Sequence, residues 1–199
     1  MKIAVLAEDD QWDELTGGIS NVSWERISSL NDVPSADAYL ILDETGINPF
    51  ENIVKPILLN SVLHTLKELK MPSNVIRING WKGFLQRNQW ETAGTINEEI
   101  TNVFSAMQKQ ILLVADVPGL VAVRPIAMII NEAYFALEQN VSTKNEIDTA
   151  MKLGTNYPFG PFEWAGIIGL HNIYSLLYLL SVTDKRYTPS SLLKKEAGI

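Results

Sequence analysis

The 199-residue sequence predicts an α/β protein in two parts: a small strand-and-helix domain over residues 1–115 and an all-helical domain over residues 116–199. Three observations carry that division. Short apolar runs of strand length follow one another in the first half, at residues 2–7, 22–27, 38–42 and 55–59. From Pro125 onward the apolar residues instead recur at three- and four-residue steps. The punctuation there is helical, with a capping box, stop glycines and prolines at helix starts.

Composition narrows the function. A hydrophobic content of 46% with 20% charged residues is that of an ordinary soluble globular protein. The net charge of −7 leaves no basic stripe to neutralise phosphates, which excludes a nucleic-acid partner. The absence of cysteine excludes disulfides and thiolate catalysis, and two distant histidines make no metal site. The apolar start is too short for a signal segment, and the apolar run near Ile126 is broken by Asn131 and Glu132, short of a membrane span. A cytoplasmic protein is expected, so the sequons at Asn21 and Asn140 carry no weight.

Residues 2–7 form a buried-type strand, the usual opening of a dinucleotide-binding, Rossmann-like fold. A cofactor pyrophosphate needs a glycine-rich turn next, so that backbone N–H groups and a helix N-terminus can approach it. This chain reads Ala7-Glu8-Asp9-Asp10-Gln11-Trp12 there, with no glycine and three carboxylates. Gly17-Gly18 lacks the spacing and reads as a flexible loop. The next strands, over 22–27 and 38–42, leave little chain for helices between them, so the domain is a reduced one. After the strand over 55–59, Asn60 or Ser61 caps a helix through His64, Leu66 and Leu69 that Pro72 stops. Residues 74–91 read as strand, loop and strand, with Trp81 and Trp90 as core residues or as walls of a cleft. Residues 97–110 make an amphipathic helix that buries Ile100, Val103, Phe104 and Met107, with Glu98 and Glu99 in its first turn. Residues 111–115 are the last strand.

In the second half, Pro125 sits in a first helical turn, where its missing N–H costs nothing. Ile126, Ile129, Ile130, Ala133, Tyr134 and Leu137 share one face, and Ala127, Met128 and Phe135 make the opposite face apolar. Such a helix is covered on several sides, by its own domain or by a second copy. Thr143 and Glu146 form a capping box, Ile147, Ala150, Met151 and Leu153 a buried stripe, and Gly154 a left-handed stop. The turn Asn156-Tyr157-Pro158-Phe159-Gly160-Pro161 is rigid, and Pro161 starts another helix. Residues 173–182 are an apolar helix with Tyr174 and Tyr178 on one face, His171 lies near its start, and Lys194-Lys195 sit on a short last helix.

Taken in order, these motifs resemble the C-terminal domain of the 3-hydroxyacyl-CoA dehydrogenase family. The resemblance runs through Asp116-Val117-Pro118-Gly119-Leu120-Val121, Arg124, Asn131-Glu132-Ala133, Glu146-Ile147-Asp148, Ala150-Met151-Lys152-Leu153-Gly154, Gly160-Pro161-Phe162-Glu163 and Gly169-Leu170 to a tail with Arg186-Tyr187, Pro189 and Leu192-Leu193-Lys194-Lys195. It implies a reduced Rossmann-like domain followed by an all-α dimerisation domain of the 6-phosphogluconate-dehydrogenase C-terminal type. It also implies a homodimer through the helical domain, and NAD-dependent oxidation of 3-hydroxyacyl-CoA esters in fatty acid metabolism.

The resemblance further implies where the chemistry sits. The family's base is a His oriented by a Glu; at the family's spacing the Glu falls on Glu91 and the His on Asn79, which cannot accept a proton at physiological pH. The family's serine beside the substrate hydroxyl corresponds to Ser61. The family's carbonyl-polarising Asn, in Val-Asn-Arg, corresponds to Val123, which has no donor. The expectation is a 3-hydroxyacyl-CoA dehydrogenase-like protein that has lost NAD binding and the His base, holds no cofactor or metal, and keeps an acyl-CoA-type cleft with Glu91 and Ser61 as residual site groups. Two readings stay open beside it: an active NAD-dependent enzyme with a rebuilt site, and a non-catalytic oligomerisation or regulatory partner, including one in mixed dimers with a full-length relative.

Overall fold

Alternating side chains build the first half of the molecule. In the computed structural model, which describes residues 1–18, 21–30, 33–43 and 53–199, the chain divides into the units Met1–Leu120 and Val121–Ile199. The first contains β1 (Lys2–Leu6), α1 (Asp9–Thr16), β2 (Ser23–Ile27), β3 (Ala38–Ile41), β4 (Ile57–Asn60), β5 (Val75–Ile78), β6 (Gln89–Ala93), α2 (Glu98–Ala106) and β7 (Gln110–Leu113). They form one seven-stranded sheet in the order β2-β1-β3-β4-β5-β6-β7. All neighbours are parallel except β5 and β6, so the last two strands run against the first five.

The two-residue period of a strand sends Ile3 and Val5 to one face of this sheet, and Ala4 and Leu6 to the other. On the first face Leu15 of α1 and Ile100, Val103 and Phe104 of α2 complete the core. The second face is covered by Leu30, Val33, Ile53, Leu66, Leu69 and Met71. Those residues lie in turns and loops, so a reduced covering layer is what the structure describes on that face. Each large aliphatic side chain removed from water contributes roughly 1.5–3 kcal/mol.

One local expectation is corrected here, and one helix is added. The acidic turn after β1 opens α1, which buries Gln11 and Leu15 and packs Trp12 against the core. The helix expected through His64–Leu69 is a single turn instead: Leu69 N–H donates to Thr65 O at 3.1 Å, and Lys70 at φ 53 breaks the winding. Asn60 and Ser61 therefore cap no helix. The first unit runs to Leu120. Asp116 is held by Arg77 and by the N–H of Leu66, and Gly119 N–H donates to Val62 O at 2.7 Å, which ties that stretch to the sheet.

The second unit contains α3 (Val123–Glu138), α4 (Lys144–Thr155), α5 (Pro161–Ile168), α6 (Leu170–Ser181), a 3-10 turn (Lys185–Tyr187) and α7 (Ser191–Glu196). The capping box at Thr143 and Glu146 forms as its sequence requires. Gly154 does not stop α4, which runs on until Asn156 takes the left-handed conformation at φ 55, a region asparagine tolerates. Nor is the apolar stripe of α4 buried within one chain, since Leu153 is 83% exposed. The buried residue of α4 is Asp148, whose carboxylate accepts the N–H groups of Phe162 and Glu163 at 2.8 and 3.2 Å and so caps α5. A side chain at Gly160 would put its Cβ 2.3 Å from that carboxylate, which explains the glycine. α5 and α6 meet at 98°, and among the described residues no single helix is long and apolar enough to cross a membrane.

Candidate functional site

In an open parallel sheet, ligands bind outside the carboxyl ends of the strands where the winding direction reverses. Here the chain steps from β2 over β1 to β3, so that point lies beyond Leu6 and Ile41. It is occupied by the chain's own polar groups. The Gln11 amide, carried there by α1, donates from Nε2 to Gly80 O at 2.9 Å and to Leu42 O at 3.3 Å. Its Oε1 accepts the N–H of Glu8 at 3.2 Å. Asn60, at the end of β4, donates to Leu42 O and accepts from Gly80 N–H, each at 2.9 Å. Gly80 admits no side chain, because a Cβ would lie 2.9 Å from Asn60 and from Leu42. Gln11 and Asn60 are both buried, and each makes the bonds an amide needs there.

The rim of this point is charged and internally paired. Asp9 bridges to Arg26 at 2.7 Å, and Lys82 reaches both Glu8 and Asp10, at 3.2 and 3.0 Å. The hydrogen bonds that Lys82 donates to Asp10 and Glu8 push its pKa up. Glu14 accepts the N–H groups of Gly83 and Gln86 at 2.9 and 3.1 Å. The loop after β5 is thereby fastened along α1.

Beside this plug lie the residues the sequence singled out. Ser61 is buried and donates to His64 O at 2.9 Å. Asn79 follows β5 and is 4% exposed; its Oδ1 accepts Trp81 N–H at 3.3 Å, while its buried Nδ2 has no partner. Strands β5 and β6 pair Arg77 with Ala93 and Ile78 with Thr92, and Asn79 is the first residue after β5. Glu91 is buried in β6. Nearby Arg87 has its pKa lowered by burial, a fall that the charges of Glu91 and Glu14 oppose. Trp90 is a core residue, donating to Leu85 O and packing edge-on to Phe104 with centroids 5.9 Å apart, so it walls no cleft. His64 is exposed. No cluster of metal-binding side chains exists among the described residues.

Residues 119–197 match the family described as "3-hydroxyacyl-CoA dehydrogenase, C-terminal domain". This helical part of the chain is similar to the C-terminal domain of 3-hydroxyacyl-CoA dehydrogenases. The 3-hydroxyadipyl-CoA dehydrogenase of Escherichia coli K12 is 46% identical over 91 residues, which cover 45% of this chain and 19% of that protein. The 3-hydroxybutyryl-CoA dehydrogenase of Bradyrhizobium diazoefficiens is 39% identical over 94 residues, covering 45% and 32%. The match thus spans a third or less of these curated relatives. Among solved structures, M. tuberculosis FadB2 superposes with a TM-score of 0.79 at 15% identity over 98% of this chain and 93% of that one. The 3-hydroxybutyryl-CoA dehydrogenase of E. coli K12 superposes at 0.61 with 30% identity, over 87% of this chain and 38% of the other. The α/β unit of this dehydrogenase-like chain therefore has the Rossmann-type fold as well.

In the helical unit, Val123 is fully buried in the first turn of α3, with a side chain that can donate nothing. Four residues of the site were not legible in the sequence as site residues: Gln11, Asn60, Gly80 and Arg77. Arg77 offered a signal, as a charge between Ile76 and Ile78 in an apolar strand. It is completely buried, donating to Ser61 O, Val62 O, Val117 O and Asp116. This guanidinium fixes the backbone that carries Ser61.

Proposed function

We propose that the chain is a non-redox member of the 3-hydroxyacyl-CoA dehydrogenase family, which binds an acyl-CoA-type ligand and does not bind NAD. The observation that carries this reading is the Gln11 plug at the winding reversal of the sheet. A dinucleotide pyrophosphate needs glycines for close backbone approach and free N–H groups at a helix N-terminus. Here the Glu8 N–H is taken by Gln11, and the first turn of α1 carries Asp9 and Asp10. Coulomb repulsion adds to the steric conflict. These residues do not fit the cofactor. Hydride chemistry is further opposed by Asn79, which cannot take up the proton that leaves a hydroxyl. The ligand class follows from the helical unit and from the acyl-CoA esters named in its relatives.

A homodimer through the helical unit goes with this reading. Leu153 is 83% exposed, and Tyr178 on α6 and Val182 just after it are also exposed, a pattern that suits burial against a second copy. Light scattering on the purified protein is expected to give twice the chain mass.

Thermal shift tests the ligand reading. A ligand present at about a hundred times its Kd stabilises the native state by roughly 2.7 kcal/mol, which for a chain of this size raises Tm by several degrees. Acetoacetyl-CoA is expected to raise Tm and NADH to leave it unchanged. A clear NADH shift would overturn the proposal and restore the dehydrogenase.

A further inference from the structure

The first five strands finish at the ligand end of the sheet, and β6 and β7, which run the other way, begin there. Arg87 and Lys109 stand just before those two starts, where Gln110 N–H donates to Asn88 O at 2.7 Å. Lys109 is fixed in place. Its ammonium donates to Leu85 O at 2.9 Å and to Arg87 O at 3.0 Å, and it lies 5.4 Å from the centre of the Trp90 ring. An ammonium has a further donor beyond these two. Arg87 lays its guanidinium over the Phe84 ring at 4.3 Å, and among the described residues it makes no side-chain hydrogen bond and no ion pair.

Other cations of this unit are treated differently. Lys2, Arg26, Arg77 and Lys82 each meet a carboxylate, while Lys67 and Lys70 are left in water. Burial lowers the pKa of both Arg87 and Lys109. The charge of Glu14 opposes that fall without pairing, since its carboxylate is taken by the N–H groups of Gly83 and Gln86. Carboxylates are not scarce in a chain with 23 acidic residues against 16 basic ones. Two cations partly withdrawn from water without one of their own cost free energy, which an incoming anion would offset.

We infer that Arg87 and Lys109 form a phosphate-binding site at the ligand end of the sheet. A guanidinium with its donor fork free and an ammonium with a donor left match the oxygens and the double charge of a phosphate ester near neutral pH. A carboxylate would satisfy Arg87 alone. The Phe84 and Trp90 rings and the two carbonyls hold the cations before the ligand arrives, so little ordering remains to be done on binding. A CoA ester and free phosphate both present this group, and the site stands independently of the acyl-CoA reading above.

Calorimetric titration of the full chain at constant ionic strength tests the site, with coenzyme A and inorganic phosphate as the probes. Coenzyme A is expected to bind about tenfold more weakly to Arg87→Gln, the loss of one charge-assisted hydrogen bond. It is expected to bind unchanged to Lys67→Gln, which removes an exposed cation of the same unit. Arg87→Gln is expected to keep the Tm of the ligand-free protein, so weaker binding there reads the site and not the fold. Inorganic phosphate that binds as tightly as coenzyme A, and is lost in Arg87→Gln, identifies free phosphate as the source. Coenzyme A binding undiminished in Arg87→Gln overturns the site and leaves the acyl-CoA reading standing. Phosphate held through Arg87 with no binding of coenzyme A upholds the site and overturns that reading. Binding of neither probe overturns both.

Discussion

The two units keep their family likeness in different currencies. The relatives that match at 39–46% identity do so over 45% of the chain, and the family match runs from 119 to 197. There the motif residues hold the unit together. Asn131 donates to Thr188 O at 2.9 Å and accepts Ser190 N–H at 2.8 Å, Asp148 caps α5, and Gly160 makes room for that carboxylate. The α/β unit lies outside that match, and it is a whole-chain superposition on FadB2 at 15% identity that takes it in. Its apolar alternation builds a seven-stranded sheet, yet Gln11, Asn60 and Gly80 at the carboxyl ends of its strands satisfy one another. Residues that carry packing and residues that carry ligand chemistry separate cleanly in this molecule. A sheet can keep its shape when its crevice is filled from within, whereas a helix start loses its cap when Asp148 goes.

The largest effect is expected at the point where the α/β unit depends on one charge. Arg77→Ala removes four hydrogen bonds and leaves Asp116 and three carbonyls without their cation. Breaking a buried pair of this kind costs about 3–5 kcal/mol, against a total stability of roughly 5–15 kcal/mol for a domain. Urea unfolding followed by tryptophan fluorescence is expected to show the loss, since Trp81 and Trp90 are both in this unit. A loss below about 1 kcal/mol would mean that water replaces the guanidinium, and that the sheet is as tolerant there as at its crevice. In the helical unit, Gly160→Ala forces a Cβ to within 2.3 Å of Asp148, and overpacking of that order costs about 1–3 kcal/mol. Far-UV circular dichroism during thermal unfolding reads this one.

Gln11→Ala sharpens the comparison from the other side. It removes the donor to Gly80 O, which then lies buried with one partner fewer, at about 1–3 kcal/mol. NADH binding is not expected to return, because Asp9 and Asp10 still occupy the first turn of α1. An NADH-dependent rise in Tm for Gln11→Ala would show that the amide alone blocks the cofactor.

Much of this fold was legible in the sequence because the signals were periodic. The strands at Ile3, Ala38 and Ile57 and the helices after Pro125, Thr143 and Pro161 are all where apolar spacing and capping chemistry put them. The helix at Asp9 was hidden because its buried face is only Gln11 and Leu15, too few residues to show a period. The helix expected near His64 failed because Leu66, Leu69 and Met71 all serve the sheet face from a single turn, and Asp116 takes the Leu66 N–H from far along the chain. The site was legible at Asn79, Glu91 and Ser61 only through family resemblance. The Gln11–Asn60–Gly80 network joins residues far apart in sequence, and no local pattern announces it. Exposure of Leu153 is the same lesson reversed: spacing gives a face, and the tertiary neighbours decide what covers it.

The smallest effect is one of pH, and it belongs to the helical unit. Tyr134 on α3 donates to Glu196 on α7 at 2.7 Å, and Lys144 on α4 reaches the same carboxylate. Burial pushes the Glu196 pKa up, but the bonds from Lys144 and Tyr134 outweigh it and leave the group below its ordinary 4.5. Burial and the neighbouring Glu196 raise the Tyr134 phenol, so it stays protonated through the neutral range. A carboxylate with a depressed folded pKa contributes its stability above the unfolded value and loses it as pH falls through the folded one. Tyr134→Phe is therefore expected to cost about 1 kcal/mol near neutral pH and to approach the unaltered protein in acid, once Glu196 is protonated in both. The Lys144 pair is solvent-exposed and adds little, so salt should barely change the result. A Tyr134→Phe penalty that stays constant from neutral to strongly acidic pH would assign the tyrosine's role to its ring, which packs on Phe162 with centroids 5.1 Å apart, rather than to its hydroxyl.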